Sequence, residues 1–244
     1  MTRSTAIALR VAGGVAAAAL ISATGWYGRD WLERRPIATV RFAGDTDRVD
    51  VADLDRLAAG LRGREVGEIA LPAIREAVKR LPWVRECVVR LVFPGTLRVT
   101  IEAHVPLARW DETRLVSVRG EVFAAEYEGA LPRFAGPEGT AAEMAAEWKR
   151  IGEAVARLAI PVAELRLTQR RAWQAKLDSG LVLDLGRGEI ESRLARFADA
   201  WPRIAAEAGS ATHADLRYPN GFALRGIAGG DGKTAPRGGR PRGT

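Results

Sequence analysis

The chain has 244 residues, of which 47% are hydrophobic and 27% charged, a composition that excludes wholesale disorder and allows about two small domains. Its single cysteine, Cys87, excludes an intramolecular disulfide framework and a cysteine-only zinc site, and the β-like run around it indicates a small buried hydrophobe. The net charge of +7 comes from arginines spread among acidic residues and from a basic tail, so nucleic-acid binding is not expected.

The first distinct element is an uncharged segment rich in Ala, Gly, Val, Leu and Ile that occupies residues 11–28. Its length is close to the roughly 17–25 residues with which a helix spans a bilayer core. Aromatic residues of the kind found at membrane interfaces follow it: Trp26, Tyr27 and Trp31. The sequence therefore predicts a transmembrane helix over 11–28 after a short tail, residues 1–10.

The orientation of this helix does not follow from charge, because arginines stand on both sides of it. All sequence that looks folded comes after it, which favours a cytoplasmic N-terminus. A cleaved signal peptide is the alternative, since it has the same basic start and apolar middle. No convincing Ala-x-Ala cleavage site precedes Trp26, so an anchor is favoured.

Residues 36–103 are predicted to form a first α+β domain with the order β-α-α-β-β. A short strand covers 37–42, Asp50 caps a helix that runs to about Ala59, and a second helix opens at Leu71-Pro72. A hairpin follows over 84–93 and 96–103, with Pro94-Gly95 predicted as a type II turn. In its second arm apolar and polar residues alternate, and the apolar face consists of Leu97, Val99, Ile101 and Ala103.

Two segments of this first domain, Leu81-Pro82-Trp83-Val84 and Phe93-Pro94-Gly95-Thr96-Leu97, resemble a POTRA domain, a small module used near membranes for protein–protein docking. The resemblance implies a sheet with two helices on one face.

Residues 104–226 are predicted to form a β-rich domain with two helices. A capping box, Thr140-x-x-Glu143, opens the first helix, and the second begins near Glu189 and contains Pro202, which is expected to kink or shorten it. The remaining elements are a strand, 162–168, and hairpins over 114–118 with 121–124, 172–177 with 181–185, and 214–218 with 222–225. Residues 227–244 are rich in Gly, Pro and Arg, and are expected to form a disordered basic tail.

The anchor, the POTRA-like unit and this β-rich unit together resemble the FtsQ/DivIB family of bacterial cell-division proteins. The matching stretches occur in the family's order over about residues 36–226: Pro106-x-Ala108-Arg109-Trp110, Leu131-Pro132, Gly136-Pro137-Glu138-Gly139, Arg170-Arg171-x-Trp173, Leu185-Gly186-Arg187-Gly188, Arg193-Leu194-x-Arg196-Phe197 and Asp215-Leu216-Arg217-Tyr218.

This resemblance implies a single-pass inner-membrane scaffold at the division septum, with the N-terminus in the cytoplasm and the bulk of the chain in the periplasm. It implies that the C-terminal region binds FtsB of the FtsB–FtsL pair, and that the POTRA-like domain docks other division proteins. The partner contacts that it implies are Arg171, Arg217, Tyr218, Asn220, Gly221 and Leu224.

The residues themselves suggest how such binding works. The C-terminal hairpin is the last strand-forming piece before the tail, which makes it a candidate sheet edge to which a partner strand can add. Two arginines near that edge, Arg171 and Arg217, are expected to bind a partner carboxylate, and Tyr218 offers an amphipathic contact.

No catalytic, cofactor or metal site is predicted. His104 and His213 each stand alone, and no nucleophile-elbow, metalloprotease or phosphate-loop signature occurs. Gly186-Arg187-Gly188 lacks the third glycine of a nucleotide loop and is interpreted as a turn. Two alternatives stay open: a periplasmic hydrolase, which needs a pocket of converging titratable groups, and a POTRA-bearing translocation or envelope-assembly component, which usually has several POTRA-like units.

Overall fold

A computed structural model describes residues 34–208 and 211–226, together with Leu20 and Ser22. The chain divides into two compact units between His104 and Val105. The predicted transmembrane helix (apart from Leu20 and Ser22) and the two predicted tails lie outside the described residues. Among the residues that are described, no helix is both long enough and apolar enough to cross a membrane.

The first unit has the predicted order of elements. They are β1 (Thr39–Gly44), α1 (Val51–Leu61), a short 3-10 turn (Val66–Glu68), α2 (Leu71–Lys79), β2 (Val84–Val92) and β3 (Thr96–Ala103). The central strand is β3, which pairs parallel with β1 and antiparallel with β2. Strand β2 is therefore one edge of a three-stranded sheet.

Local chemistry explains the first unit well. The Asp50 carboxylate accepts a hydrogen bond from the backbone N–H of Ala52 at 2.8 Å, so the predicted N-cap of α1 is confirmed. The predicted apolar face of β3 is buried, and so are the apolar stripes of the two helices. The buried residues are Leu97, Val99 and Ile101 of β3, and Leu54, Ala58, Ile74 and Val78 of α1 and α2.

The turn between β2 and β3 differs from the prediction. The Phe93–Pro94 peptide bond is cis, and the left-handed φ that a type II turn needs is not found at Gly95. A Cβ at residue 95 would lie 2.8 Å from the carbonyl oxygen of Pro36. The glycine is needed for this close backbone approach and not for a positive φ.

The second unit contains a nine-stranded mixed sheet and two helices. The strands are β4 (Pro106–Arg109), β5 (Arg114–Ser117), β6 (Val122–Ala124), β7 (Arg133–Ala135), β8 (Val162–Leu167), β9 (Trp173–Leu177), β10 (Val182–Gly186), β11 (His213–Asp215) and β12 (Ala223–Arg225). The helices are α3 (Ala141–Ala156) and α4 (Ile190–Ala208). The strand order is β12-β11-β10-β9-β8-β7-β4-β5-β6, so β12 and β6 are the two edges.

Parallel pairing is the part of this sheet that the sequence did not predict. Strand β8 pairs parallel with β7 after the α3 crossover, and β11 pairs parallel with β10 after the α4 crossover. Parallel neighbours require a long connection, and a helix usually supplies it. The short strands β4 and β7 were not predicted either, and they pair parallel with each other.

Both helices pack against one another and against the sheet in one continuous core.

The predicted capping box is wrong, because the Thr140 hydroxyl donates to the Pro137 carbonyl at 2.6 Å and makes no cap hydrogen bond. Glu143 instead binds Arg171. Pro202 lies inside α4, which continues to Ala208.

Candidate functional site

Five of the six predicted contact residues lie in the C-terminal hairpin, defined here as residues 213–225. Four of them, Arg217, Tyr218, Asn220 and Gly221, belong to the connection between β11 and β12, and the fifth, Leu224, lies in β12. Since β12 ends the sheet, the predicted edge position of this hairpin is found in the structure. Among the described residues, no strand lies beyond it.

The sixth residue, Arg171, lies in the turn before β9, at the same end of the sheet. The register pairs Trp173 of β9 with Gly186 of β10, and Asp184 of β10 with Asp215 of β11. Neighbouring strands lie about 4.8 Å apart, so β9 and β11 are separated by about 10 Å. Three adjacent strands therefore carry Arg171, Gly186 and Arg217 to one end of the sheet.

Arg217 is held by a carboxylate from its own hairpin. Its Nε and Nη2 donate to the two carboxylate oxygens of Asp215 at 2.8 and 2.7 Å, and its backbone N–H donates to Oδ1 at 3.1 Å. The Asp215 side chain is 4% exposed and that of Arg217 is 60% exposed. The Arg217 side chain lowers the pKa of Asp215 below its usual value, and Asp215 raises the pKa of Arg217.

Gly186 lies against the aliphatic part of Arg217. Its φ is +74°, and a Cβ at this position would be 2.9 Å from Cγ of Arg217 and 3.0 Å from Nη1 of Arg193. The segment Leu185-Gly186-Arg187-Gly188 is the end of β10 and the bend that follows it, and its first glycine leaves room for two arginine side chains.

Arg171 also has a carboxylate partner within the chain. It adopts a φ of +63° in a turn closed by Thr168, and its Nη2 binds the carboxylate of Glu143 on α3. Both arginines that were predicted to bind a partner carboxylate are thus already paired with a carboxylate of this chain. Arg217 uses Nε and Nη2 on Asp215, and a guanidinium has five N–H donors; within the described residues no hydrogen bond from its Nη1 is found.

The other predicted contacts differ in accessibility. Tyr218 is 50% exposed and is one of the large exposed side chains of the second unit. Asn220 is exposed, Gly221 is half-buried, and Leu224 is half-buried against the core. The hairpin therefore presents an aromatic ring and a guanidinium beside a strand edge.

Helix α4 contributes residues that the predicted contact set does not include. Nη1 of Arg193 donates to the carbonyl oxygens of Leu185 at 2.6 Å and Arg187 at 3.3 Å. Nη1 of Arg196 donates to the Pro219 carbonyl at 2.5 Å, and its Nη2 to the Tyr218 carbonyl at 3.4 Å. Their spacing of three residues puts both arginines on neighbouring turns of the helix surface, which is the signal that the sequence offered.

Apolar contacts fix the same region. Phe197 of α4 is fully buried, and its ring lies 5.1 Å from that of Phe222 in an edge-to-face arrangement. The ring of Trp201 also lies close to Phe197, at 5.4 Å. The connection between β11 and β12 is therefore attached to α4 by both polar and aromatic contacts.

The first unit has its own groove, beside the edge strand β2. It has a volume of about 490 Å³ and lies between α2 and β2, lined by Leu71, Pro72, Arg75, Glu76, Glu86, Cys87, Val88 and Val89. Cys87 is buried, and burial raises the pKa of its thiol, so the interpretation as a small hydrophobe holds. No group of three or more potential metal ligands occurs within the described ranges.

Comparisons with known proteins match both units. The family model described as the C-terminal region of cell division protein FtsQ/DivIB matches residues 108–217, and the FtsQ-type POTRA domain matches residues 35–104. The Cell division protein FtsQ of Burkholderia pseudomallei (strain K96243) is 37% identical over 220 residues, which cover 84% of this chain and 86% of that protein. The protein of the same name from Escherichia coli (strain K12) is 30% identical over 214 residues, covering 82% and 78%.

Proposed function

The chain belongs to the FtsQ/DivIB family of bacterial cell-division proteins, and on that premise we propose that it is a septal scaffold that captures the FtsB–FtsL pair. The proposed contact surface is the C-terminal hairpin, with Arg171 beside it. The proposed role is binding and includes no catalytic step.

The observation that carries this proposal is the position of β12 at the sheet edge, next to an exposed Tyr218. An extended partner segment can pair its backbone N–H and C=O groups with those of an edge strand. Tyrosine and arginine are enriched among the residues that dominate interface energies. Here Tyr218 and Arg217 lie in the connection that leads into this strand, and their exposed side chains are proposed to set specificity.

The placement of the chain in the cell is part of the proposal. Residues 11–28 are proposed as a single transmembrane helix with residues 1–10 in the cytoplasm. The POTRA domain (36–103) and the β-rich domain (104–226) are then periplasmic, and residues 227–244 form a basic tail. Family membership supports this arrangement, because the resemblance to the FtsQ/DivIB family implies a single-pass inner-membrane protein with a cytoplasmic N-terminus.

Co-purification in detergent tests the FtsB–FtsL proposal, using the full chain with a Tyr218→Glu substitution. A charge at this 50% exposed position should abolish recovery of FtsB and FtsL without unfolding the domain. The matched control is Val118→Glu, which puts the same charge at a 53% exposed aliphatic residue in the turn between β5 and β6. Undiminished recovery of FtsB with the Tyr218→Glu chain would contradict the proposal.

A second binding surface is proposed on the POTRA domain, for other division proteins. It consists of the edge strand β2, where Val88 and Val92 are 47% and 38% exposed, and the adjoining groove beside α2. Exchange of residues 36–103 for an unrelated folded spacer should abolish septal recruitment of a fluorescent fusion. Normal recruitment of the exchanged chain would refute this role.

A further inference from the structure

Two arginines of α4 hold backbone carbonyl groups on both sides of Arg217. Arg193 binds the carbonyl groups of Leu185 and Arg187, which precede and follow Gly186 at the end of β10. Arg196 binds those of Tyr218 and Pro219, in the connection that follows Arg217. Hydrogen bonds from a charged donor are stronger than those between neutral groups, so these contacts are well suited to fix a loop.

Arg196 makes the side-chain hydrogen bonds to the backbone of residues 218–222. Within the described chain, its two bonds to Tyr218 and Pro219 are the side-chain hydrogen bonds found for this stretch, in which residues 219–220 form a turn. At the far end of the stretch, Phe222 packs edge-to-face on Phe197, the residue next to Arg196. One turn of α4 thus holds the connection at its beginning and at its end.

The contact with Arg196 involves the backbone of Tyr218 and not its side chain. Its carbonyl oxygen accepts from Arg196, whereas its side chain is 50% exposed. The guanidinium of Arg196 therefore fixes the backbone that carries the tyrosine and leaves the ring accessible. A loop that is already ordered loses less conformational freedom when a partner binds, and this raises affinity.

We propose that Arg196 is a positioning residue of the partner surface: it holds the 218–219 backbone so that Tyr218 and β12 are presented in a binding-competent arrangement. This inference rests on the proposed function, because it assigns a residue to the same surface. Arg196 itself need not touch the partner.

The planar guanidinium is essential to this role. Arg196 uses two nitrogens of one rigid fork on two successive carbonyl groups. A lysine ammonium is a point charge on a flexible stem and matches this geometry less well. Arg196→Lys keeps the charge and should restore only part of what Arg196→Ala loses.

The binding experiment uses the full chain in detergent and a purified FtsB–FtsL pair. Arg196→Ala should weaken the affinity about tenfold, which corresponds to about 1.4 kcal/mol, and Arg196→Lys should lie between alanine and wild type. The matched control is Arg203→Ala, which removes the same charge from another exposed arginine of α4. Arg203→Ala should bind as wild type does. Equal affinity of Arg196→Ala and wild type, or equal losses at 196 and 203, would overturn the inference.

Hydrogen exchange on the unbound chain provides a readout that does not need the partner. Arg196→Ala should speed exchange in residues 217–225 while the amides of β8, β9 and β10 keep their protection, and Arg203→Ala should change neither. Unchanged exchange in 217–225 would refute the positioning role. If wild type did not bind FtsB–FtsL at all, the proposed function would fail, and the exchange result would still decide whether Arg196 orders the connection.

Discussion

Arg217 lies so close to Gly186 that a Cβ on residue 186 would be 2.9 Å from Cγ of the arginine. The two residues are separated by the whole of α4 in the sequence, and the pairing of β10 with β11 brings them together. The direction in which Arg217 points is therefore set by a glycine as well as by the Asp215 carboxylate.

Gly186→Ala should disturb this surface in two ways. A non-glycine residue at a φ of +74° costs about 1–2 kcal/mol of stability, and the added methyl group displaces the Arg217 stem. Gly188→Ala is the matched control, because its φ is +60° and a Cβ there meets nothing within 4 Å. Both variants should lose similar stability in urea unfolding, whereas only Gly186→Ala should weaken FtsB–FtsL binding. Equal binding by the two would show that the contact with Arg217 is unimportant.

Asp215→Asn should reduce stability in a manner that depends on pH. The carboxylate accepts three hydrogen bonds from Arg217, and we expect the amide to cost about 1 kcal/mol at pH 7. Because the folded-state pKa of Asp215 is lowered, its contribution is present above the unfolded pKa of about 3.9 and disappears as pH falls through the folded value. The wild-type and Asp215→Asn unfolding midpoints should therefore converge below about pH 4. Asp178→Asn, at an exposed turn residue, should leave the unfolding midpoint at pH 7 unchanged.

Glu86 should make the POTRA domain sensitive to acid. The backbone N–H of Cys87 and the Arg75 guanidinium lower the pKa of Glu86 to about 2. Its stabilising contact with α2 is therefore complete above the unfolded pKa of about 4.3 and is lost as pH falls toward 2. Glu86→Gln should lower the thermal midpoint at pH 7, and the difference from wild type should shrink between about pH 4.3 and pH 2.

Glu76→Gln is the control for this pH series. Glu76 is an exposed residue of the same helix, and it forms no ion pair within the described part of the chain. Its substitution should leave the thermal midpoint at pH 7 unchanged. A constant difference between Glu86→Gln and wild type from pH 7 to pH 2 would contradict the assigned role of the carboxylate.

Phe197→Ala should both destabilise the second unit and release the connection between β11 and β12. Removing a fully buried phenylalanine costs about 3–5 kcal/mol, and Phe222 loses its aromatic partner. Phe134→Ala is the control, since Phe134 is equally buried in the same core but packs on Trp148. At a temperature where both variants stay folded, Phe197→Ala should bind FtsB–FtsL more weakly. Comparable binding by the two variants would show that Phe197 does not contribute to the partner surface.

Local features of the fold were predictable from sequence because neighbouring residues determine them. The apolar alternation of β3 and the cap at Asp50 needed no long-range information. The prediction failed where other groups intervened. Thr140 and Glu143 have the spacing of a capping box, but Pro137 and Arg171 bind them instead.

The candidate site was predictable only in part, for the same reason. The position of the hairpin as the last strand-forming piece before the tail indicated a sheet edge, and the family resemblance indicated the contact residues. That Arg171 and Arg217 each have a carboxylate within the chain depends on α3 and on β11, and no local pattern encodes it. The contact of Arg196 with the 218–219 backbone depends on how α4 packs, which periodicity alone does not specify.

The parallel pairing of β10 with β11 also has a consequence for the timing of assembly. Residues 184 and 215 are far apart in the sequence and adjacent in the sheet, and contacts between such distant residues form slowly. Strand β12 pairs with β11 and with no other strand of the described sheet, so its place in the sheet depends on β11. A chain in which β10 and β11 have not paired does not have this edge. Partner capture at β12 would then select completely folded molecules, and incomplete chains would be left out of the division machinery.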